Sequence, residues 1–431
     1  GMAGHVGLSA IHESALKHVT GRAVYIDDVP EPDGTVHVQL GSASIAAGAI
    51  LSVDLERVRV APGVIHVLTA SDIPGTNDIS PVHAHDEPVF ATDRVMFHGQ
   101  PLFAVVAETR DAARRAARLA NVIYAEASPV LDVASARAAG GPLVITPLKL
   151  ERGDVEAALK ASPRRIDGSM TIGGQDHFYL EGQISLAIPG EDEDVTVLCS
   201  TQHPSEVQHM VASVLGVGAH AVRVEVRRMG GGFGGKETQA NLFAVVAALA
   251  AKLTGRAAKL RLDRDDDMAI TGKRHDFVVD YSLGFDDDGR IRAVDATYAA
   301  RCGWSADLSG PVTDRTLFHM DNAYFYPAVR GRSEPLRTHT VSNTAFRGFG
   351  GPQGVLGAER FIEEVAFALG KDPLAIRKLN FYGGDGSDIT PYHQRVVDCV
   401  VPEIVAALEA GCGYQARRKA IRAFNATSPV I

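Results

Sequence analysis

Two segments of this sequence share the motif Gly-Phe-Gly-Gly. The first glycine loop, Gly230–Glu237 (GGGFGGKE), follows a predicted strand and precedes a predicted helix. The second glycine loop, Phe346–Gln353 (FRGFGGPQ), also opens a predicted helix. Glycines let the backbone approach a bulky or planar ligand closely, while Arg347 supplies a guanidinium for an anion and Phe349 a ring face for a flat molecule. The pair of loops therefore predicts a site for a planar ligand or cofactor.

The first glycine loop, taken alone, is compatible with three interpretations. Its Gly-x-Gly-x-x-Gly spacing matches a dinucleotide fingerprint, but no acidic residue closes a second strand at about 20 residues, and Asp263 is too distant. A P-loop needs Ser or Thr after the lysine, whereas Glu237 stands there and would repel phosphates. A tight structural turn stays open for one loop alone, but two such loops favour a ligand site.

The elements that must position these loops alternate between strands and helices, which predicts a mixed α/β (α+β) fold. Residues 21–133 are interpreted as an α/β unit of their own, residues 134–150 as a linker, and the rest as a second unit beginning at residue 151. Strands are predicted at Val36–Leu40, Ala49–Leu55, Val64–Thr69, Leu102–Ala107, Val195–Ser200, Val222–Val226, Phe277–Phe285 and Ile291–Ala300. Helices are predicted after Thr109, over Gln239–Leu253 and after Gly350.

Composition limits the class of protein. The 431 residues include 43 Lys plus Arg and 52 Asp plus Glu, a net charge of −9, so general attraction to nucleic acid or anionic lipid is not expected. The longest apolar run, Leu242–Ala251, is half of the roughly 20 residues that a membrane span needs. The N-terminal segment has no apolar region of the kind found in signal peptides, which favours a cytoplasmic protein.

The four cysteines lie far apart and form no Cys-x-x-Cys pair. Cys199, Cys302, Cys399 and Cys412 are therefore predicted to be buried free thiols. Their spacing gives neither a disulfide framework nor a thiolate site for zinc or an iron–sulfur cluster.

Four motifs in this order resemble one known family: Gly173–Glu181 (GGQDHFYLE), the first glycine loop, Leu317–Asn322 (LFHMDN) and Ser342–Gln353 (SNTAFRGFGGPQ). The sequence resembles the N-terminal portion of the molybdenum-binding subunit of the xanthine dehydrogenases, which belong to the xanthine oxidase/aldehyde oxidase family of molybdenum hydroxylases. The resemblance covers essentially the whole chain.

That resemblance assigns an expected identity to each part of the chain. Residues 21–133 are similar to the family's α/β hammerhead domain, and residues 151–395 to the first part of its molybdopterin-binding domain. Residues 396–431 would begin the second part. Residues 1–20 would be an N-terminal arm, in which Gly1 before Met2 is interpreted as an expression scar.

The resemblance also implies a cofactor and the residues around it. In this family a pterin dithiolene holds the molybdenum, and no protein atom ligates the metal directly. Gln202 matches the glutamine that donates a hydrogen bond to a molybdenum oxygen, a role that suits an amide because it is not an anionic ligand. Phe233, Gly234 and Arg347 match loop positions that line the molybdenum centre.

Three residues match positions that contact the substrate. Glu237 and Arg315 match the pair that recognises the purine, with Glu237 sharing protons with ring nitrogens and Arg315 stabilising charge on a carbonyl oxygen. Phe349 matches an aromatic that packs on the purine ring. Aldehyde oxidases generally lack the charged pair, so xanthine or hypoxanthine is favoured over aldehydes or other heterocycles. For Arg315, an ion pair with Asp314 is the alternative role. For the chain as a whole, a non-catalytic scaffold is the alternative function.

Other expectations concern groups that this chain does not supply. His177 and His319 are interpreted as hydrogen-bonded structural histidines, because the family uses a carboxylate base. That catalytic glutamate falls beyond Ile431 in the family, and His177 or Glu181 would be the next candidates. The resemblance implies iron–sulfur centres and FAD on partner domains or subunits, with electrons passed on to NAD.

Overall fold

The computed structural model describes residue 4, residues 6–383 and residues 386–430. Its strands are β1 (Val36–Ser42), β2 (Gly48–Asp54), β3 (Val64–Leu68), β4 (Arg94–Val95), β5 (Pro101–Ala107), β6 (Asn121–Glu126), β7 (Lys149–Arg152), β8 (Arg164–Ile172), β9 (Ile184–Pro189), β10 (Val195–Cys199), β11 (Val222–Glu225), β12 (Ala258–Arg261), β13 (Phe277–Phe285), β14 (Ile291–Gly303) and β15 (Ala328–Arg337). Its helices are α1 (Ala15–Val19), α2 (Glu56–Arg59), α3 (Arg110–Ala117), α4 (Val133–Ala138), α5 (Val155–Ala161), α6 (Pro204–Leu215), α7 (Ala240–Thr254), α8 (Arg264–Ile270), α9 (Ser309–Phe318), α10 (Gly351–Leu369), α11 (Pro373–Asn380), α12 (Val401–Cys412) and α13 (Tyr414–Thr427).

The strands form three sheets, so the predicted mixed α/β class is confirmed. A seven-stranded sheet has the order β11-β10-β9-β12-β1-β5-β3, a five-stranded sheet the order β7-β15-β14-β13-β8, and a small sheet the order β4-β2-β6. All eight predicted strands are present, with ends within three residues of those observed. Thr109 caps α3 as predicted, because its side chain accepts a hydrogen bond from the backbone N–H of Ala112.

The seven-stranded sheet contains strands from both of the units that the sequence suggests. β1 pairs in parallel with β12, in the register Val36↔Ala258, and in antiparallel fashion with β5. Residues 21–133 therefore contribute three strands to a sheet that they share with the rest of the chain. Strand pairing between such distant segments leaves no local signal in the sequence.

Helix α7 anchors the first glycine loop. It is apolar on every face, and all its residues from Phe243 to Ala251 are buried, which is typical of a helix enclosed by a core. It packs on β9, β10 and β12 of the seven-stranded sheet. Because β11 is the edge strand of that sheet, the loop between β11 and α7 lies at the sheet's edge.

Helix α10 anchors the second glycine loop in the other core. Phe361, Ile362 and Val365 are buried against the five-stranded sheet, and the Phe361 ring lies 5.0 Å from that of Tyr281. Gly357 allows close approach, since a Cβ there would lie 2.9 Å from the Tyr298 hydroxyl oxygen. Each loop thus ends at the first turn of a helix fixed in its own core.

The stretch 134–150 differs from the expected linker. It contains most of α4, whose N-cap Asp132 accepts a hydrogen bond from the backbone of Ser135. The buried Ala136 packs in a small cluster with Leu336, and the Val144 backbone N–H donates to Pro335 O at 3.0 Å. The stretch is therefore packed along β15, although its glycines resemble a linker in sequence.

The prediction for the cysteines is only partly correct. All four are free thiols; Cys199 and Cys302 are buried, Cys399 is partly buried and Cys412 is exposed. Cys412 lies on α12, in which no residue is buried. Among the described helices, none is both long and apolar enough to cross a membrane.

Candidate functional site

Gln202 is held by the backbone of the first glycine loop. Its side-chain oxygen Oε1 accepts hydrogen bonds from the backbone N–H groups of Gly234 at 2.8 Å and Lys236 at 3.2 Å. The backbone N–H of Gln202 donates to Lys236 O at 2.8 Å. A Cβ at Gly232 would lie 2.7 Å from Oε1 of Gln202. Gly232 is therefore required for the loop to close over this side chain.

These hydrogen bonds fix the orientation of the Gln202 amide. Because both partners are N–H donors, the atom that accepts from them is the oxygen, and the Nε2 group must face away from the loop. The residue is exposed, and among the described residues Nε2 has no hydrogen-bond acceptor. The Nε2 group is thus a fixed, neutral donor on the exposed surface of the glycine loops, which is called the open face below.

The two glycine loops contact each other directly. The backbone N–H of Arg347 donates to the carbonyl oxygen of Phe233 at 2.9 Å. Gly234 has a positive φ of 96°, and a Cβ there would lie 2.7 Å from Ala345 O. Phe233 itself adopts a left-handed φ of 53°, a conformation that costs energy outside glycine and often occurs at functional sites. The loops therefore form one unit.

His177 packs against the two joined loops, as expected for a structural histidine. It is buried, and its Nε2 hydrogen-bonds to Ala345 O at 2.7 Å. Its ring lies 4.6 Å from the ring of Phe346, and a Cβ at Gly235 would lie 2.7 Å from it. Burial lowers the pKa of His177 and so favours the neutral form of the ring at the contact between the loops.

Arg274 braces the other side of the second glycine loop. Its guanidinium donates to Arg347 O at 2.9 Å and lies 4.0 Å from the centre of the Phe346 ring. The same group donates to the side chain of Gln175 at 2.6 Å. Arg347 is thus fixed through its backbone, while its own side chain is exposed.

Arg315 lies on α9, which is attached to the second glycine loop. The neighbouring Thr316 donates from its hydroxyl to Gly350 O at 3.0 Å, and a Cβ at Gly350 would lie 2.1 Å from Val312 O. Arg315 is exposed, and within the described ranges no carboxylate forms an ion pair with it, Asp314 included. His319 hydrogen-bonds through Nδ1 to Arg315 O at 3.1 Å, again a structural contact.

Glu237 lies at the C-terminal end of the first glycine loop and is half-buried. Burial is the main cause that raises the pKa of its carboxyl group, with nearby Glu206 adding to the rise and His203 opposing it. Within the described part of the chain its side chain makes no hydrogen bond, and no ion pair joins it to Arg315. The structure therefore places the two predicted substrate residues on elements that flank the joined loops, without pairing them.

The two phenylalanines at the tips of the loops are partly open to solvent. Phe233 is 46% exposed, and Phe349, with a left-handed φ of 54°, is partly exposed. A cavity of about 580 Å³ lies at the start of the first glycine loop, beside Glu181, Gly230 and Arg261. It is not lined by Gln202, Glu237 or Arg315, so the predicted site is an open face and not this cavity.

Lys236 is a buried charge whose place the sequence did not indicate. It is 0% exposed; its Nζ donates to Glu181 O at 2.7 Å and Ser200 Oγ at 2.8 Å and lies 4.5 Å from the centre of the Tyr179 ring. Burial lowers its pKa to about 8. Nothing in a Gly-Lys-Glu sequence distinguishes a buried lysine from an exposed one.

Glu181 is part of the same buried group. Its Oε1 accepts from Ser200 Oγ at 2.5 Å and from the N–H of Gly230 at 3.2 Å. These bonds hold the start of the first glycine loop to β10. The other oxygen of Glu181, Oε2, is buried and has no hydrogen-bond partner among the described residues.

The donor set at the open face fits an oxygen-bearing cofactor. Gln202 offers a fixed N–H donor, Arg347 an exposed guanidinium, and the glycine backbone a surface that side chains would otherwise fill. Hydrogen-bond donors and a positive charge attract the oxygens of an anionic group without ligating a metal themselves.

Comparison with protein families decides the assignment. A model of the "Molybdopterin cofactor-binding domain" matches residues 139–381. This chain belongs to that family. A second model, "Aldehyde oxidase and xanthine dehydrogenase, a/b hammerhead domain", matches residues 20–128. The resemblance seen in the sequence and the predicted molybdopterin cofactor are thereby confirmed.

Individual members of the molybdopterin-binding family are also similar to this chain. A xanthine dehydrogenase of Oryza sativa subsp. japonica is 41% identical over 423 residues, which are 97% of this chain and 31% of the relative. A xanthine dehydrogenase/oxidase of Gallus gallus is 40% identical over 422 residues, with the same shares. The chain thus spans about a third of the length of these curated relatives.

Solved structures share the fold. An aldehyde oxidoreductase from Desulfovibrio gigas superposes with a TM-score of 0.87 at 25% identity, over 97% of this chain and 47% of the other. A quinoline 2-oxidoreductase from Pseudomonas putida 86 gives a TM-score of 0.88 at 24% identity, over 98% of this chain and 56% of the other. The fold is therefore common to chains named for different substrates.

Proposed function

We propose that this chain is part of a molybdenum hydroxylase that converts xanthine or hypoxanthine to urate with oxygen from water. The observation that carries the proposal is the charged pair, Glu237 and Arg315, on the elements that flank the joined loops. Arg315 is exposed and has no carboxylate partner among the described residues. An unpaired guanidinium beside an open face is suited to an anionic or carbonyl oxygen of a ligand.

Four residues would hold the cofactor at the open face. When bound, the molybdenum–pterin group supplies the centre that accepts two electrons as oxygen is added to the substrate carbon. Gln202 donates from Nε2 to an oxygen of that group, and Gly234 keeps the amide in this orientation. Phe233 and Arg347 line the same face, one as an apolar wall and the other as a positive charge.

Three residues would hold the purine. Phe349 offers a ring face to the flat substrate. Glu237 shares a proton with ring nitrogens, a role that its raised pKa favours because the protonated and ionised forms come closer in energy. Arg315 stabilises the negative charge that develops on a carbonyl oxygen when the ring carbon is attacked.

The rest of the reaction requires groups from outside this chain. We place the general base on a glutamate in the polypeptide that completes the cofactor site. The electrons leave to partner domains or subunits that carry iron–sulfur centres and FAD, and from there to NAD. We propose a hetero-oligomeric enzyme in the cytoplasm, without nucleic acid or membrane as a partner.

We also propose that residues 396–431 begin the second molybdopterin-binding part. Neither α12 nor α13 has a buried residue, and the apolar side chains of Ile404, Leu408 and Phe424 are 51%, 63% and 66% exposed. Apolar side chains on two adjacent helices are suited to burial against further polypeptide of the same subunit. Residues 21–133 and 151–395 would be the hammerhead domain and the first cofactor-binding part.

A second candidate function is oxidation of an aldehyde, which the likeness to the Desulfovibrio gigas aldehyde oxidoreductase favours. The test is steady-state turnover of xanthine and of an aromatic aldehyde by the complete enzyme that contains this chain. Urate formation from xanthine is the expected result. Turnover of the aldehyde alone would replace the purine proposal with the second candidate. Absence of both activities and of molybdenum would leave a non-catalytic scaffold.

A further inference from the structure

A buried polar cluster, centred on Asp307, lies behind the two glycine loops. Asp307 is 1% exposed. Its Oδ1 accepts a hydrogen bond from Thr238 Oγ1 at 2.5 Å, and its Oδ2 accepts one from Gln239 Nε2 at 3.1 Å. Thr238 directly follows Glu237, so both donors stand at the point where the first glycine loop becomes α7.

The same cluster reaches the second glycine loop. The hydroxyl oxygens of Thr238 and Thr344 lie 3.3 Å apart, and Thr344 is separated from Phe346 only by Ala345. The backbone N–H of Thr344 donates to Lys273 O at 2.9 Å. One carboxylate is therefore connected through side-chain hydroxyls to the end of one loop and to the residues just before the other.

Asp307 occupies this place at an energetic cost. Its φ of 39° is left-handed, which is unfavourable for a residue with a Cβ, and an ionised carboxylate in the interior loses its hydration. Burial raises its pKa to about 6, and nearby Glu206 adds to the rise, while hydrogen bonds from Thr238 and Gln239 oppose it. An uncharged side chain of similar size would fill the same space as Asp307 without this cost.

A second carboxyl group reaches the cluster from the region matched by the hammerhead model. The Oε2 atom of Glu87 is buried and has no hydrogen-bond partner among the described residues. Burial raises the pKa of Glu87 well above its ordinary value, and the charges of Asp307, Asp86 and Asp78 raise it further. Asp78 in turn contacts the exposed His85 at 2.8 Å.

We propose that Asp307 is a positioning residue whose carboxylate, through Thr238 and Thr344, fixes the two glycine loops relative to each other. The direct bond between Arg347 and Phe233 joins the loops at their tips, and the Asp307 cluster joins them at their bases. Two separate attachments are what a rigid loop pair needs. The proposal rests on the proposed function only for its consequence on turnover, because the loop geometry is independent of the substrate.

The test is hydrogen–deuterium exchange of this chain, followed in peptides covering residues 229–236 and 345–351. Thr238→Val removes the hydroxyl and keeps the shape, whereas Thr238→Ser keeps the hydroxyl. A hydrogen bond to a charged group is strong enough that its loss should speed exchange in both loops by about tenfold. Thr238→Ser should exchange like the unaltered chain.

A variant in the other core separates this effect from a general loss of stability. Ile362→Val shortens a buried side chain of α10 and is expected to lower the melting temperature without faster exchange in the first loop. The proposal is overturned if Thr238→Val leaves either loop unchanged, if Thr238→Ser behaves like Thr238→Val, or if Ile362→Val loosens both loops equally. Should Thr238→Val not fold, the same exchange measurement is made on Thr344→Val and Thr344→Ser, which alter the hydroxyl next to the second loop. Failure of the complete enzyme to oxidise xanthine would contradict the proposed function and leave this result standing.

Discussion

The backbone N–H of Arg347 donates a 2.9 Å hydrogen bond to the carbonyl oxygen of Phe233. This bond joins two loops that end at helices in different cores, one on the seven-stranded sheet and one on the five-stranded sheet. The side chains of both residues are exposed. A molecule bound there would therefore contact both halves of the fold.

Replacing Glu237 with alanine is expected to weaken purine turnover mainly through binding and orientation. Loss of a charged hydrogen bond in a partly buried site costs about 1.5–3 kcal/mol, or about 10- to 100-fold in kcat/KM. Steady-state kinetics of the complete enzyme on xanthine measures this, with Glu225→Ala as a control at an exposed position before the loop. An unchanged kcat/KM would remove Glu237 from substrate recognition.

A methyl group at Gly232 is expected to displace Gln202. The added Cβ would lie within 2.9 Å of three side-chain atoms of Gln202, which is closer than van der Waals contact allows. Gly232→Ala should therefore lower the molybdenum content of the complete enzyme, measured by elemental analysis. Gly173→Ala is the matched control, because a Cβ there has no atom within 4 Å; equal molybdenum content in both variants would contradict the role of Gln202.

Glu87 is expected to make the chain less stable as pH rises. In the folded state its pKa is well above the ordinary value of 4.5, so between those two pKa values the folded chain binds a proton that the unfolded chain has lost. Stability contributed by this group therefore falls with increasing pH in that window. Glu87→Gln removes the effect, and its melting temperature relative to the unaltered chain should be higher at pH 8 than at pH 5. A difference that does not depend on pH would show that Glu87 is ionised in the folded chain.

The isolated chain is expected to fold without stoichiometric molybdenum and to oxidise no xanthine. It supplies one open face of the cofactor site, where Phe233 is 46% exposed, and the proposed general base lies in other polypeptide. Elemental analysis and a urate assay with an added electron acceptor measure both properties. Metal loading with turnover would mean that the base is in this chain, and His177 and Glu181 would be the first residues to replace.

The sequence predicted those features that depend on local patterns. Strand-like runs bounded by turn residues located the strands, the apolar run in α7 located its core helix, and repeated Gly-Phe-Gly-Gly located both loops. The pairing of β1 with β12 could not be predicted from such patterns, because the partners are distant in sequence. The packing of residues 134–150 was missed because Gly140 and Gly141 resemble a linker, although Asp132 and Ser135 form a helix cap.

Within the site, residue types could be predicted but not their burial or pairing. The resemblance assigned Gln202 to the site and the sequence showed both loops, yet neither gave a sign that Gly234 and Lys236 fix the Gln202 amide through their N–H groups. It also gave no sign that Lys236 is fully buried or that Asp307 lies behind both loops. These depend on contacts between distant segments, which only the folded chain brings together.

The most direct test of the purine proposal is the effect of Arg315→Met on two substrates of the complete enzyme. Arg315 would stabilise charge on a carbonyl oxygen that an aromatic aldehyde does not place there. Loss of such stabilisation typically costs about 10²–10³ in rate. We predict a loss of that size in kcat/KM for xanthine, little change for the aldehyde, and no change for either with Arg57→Met, which alters an exposed arginine on α2. Equal losses on both substrates, or none on xanthine, would contradict the proposal.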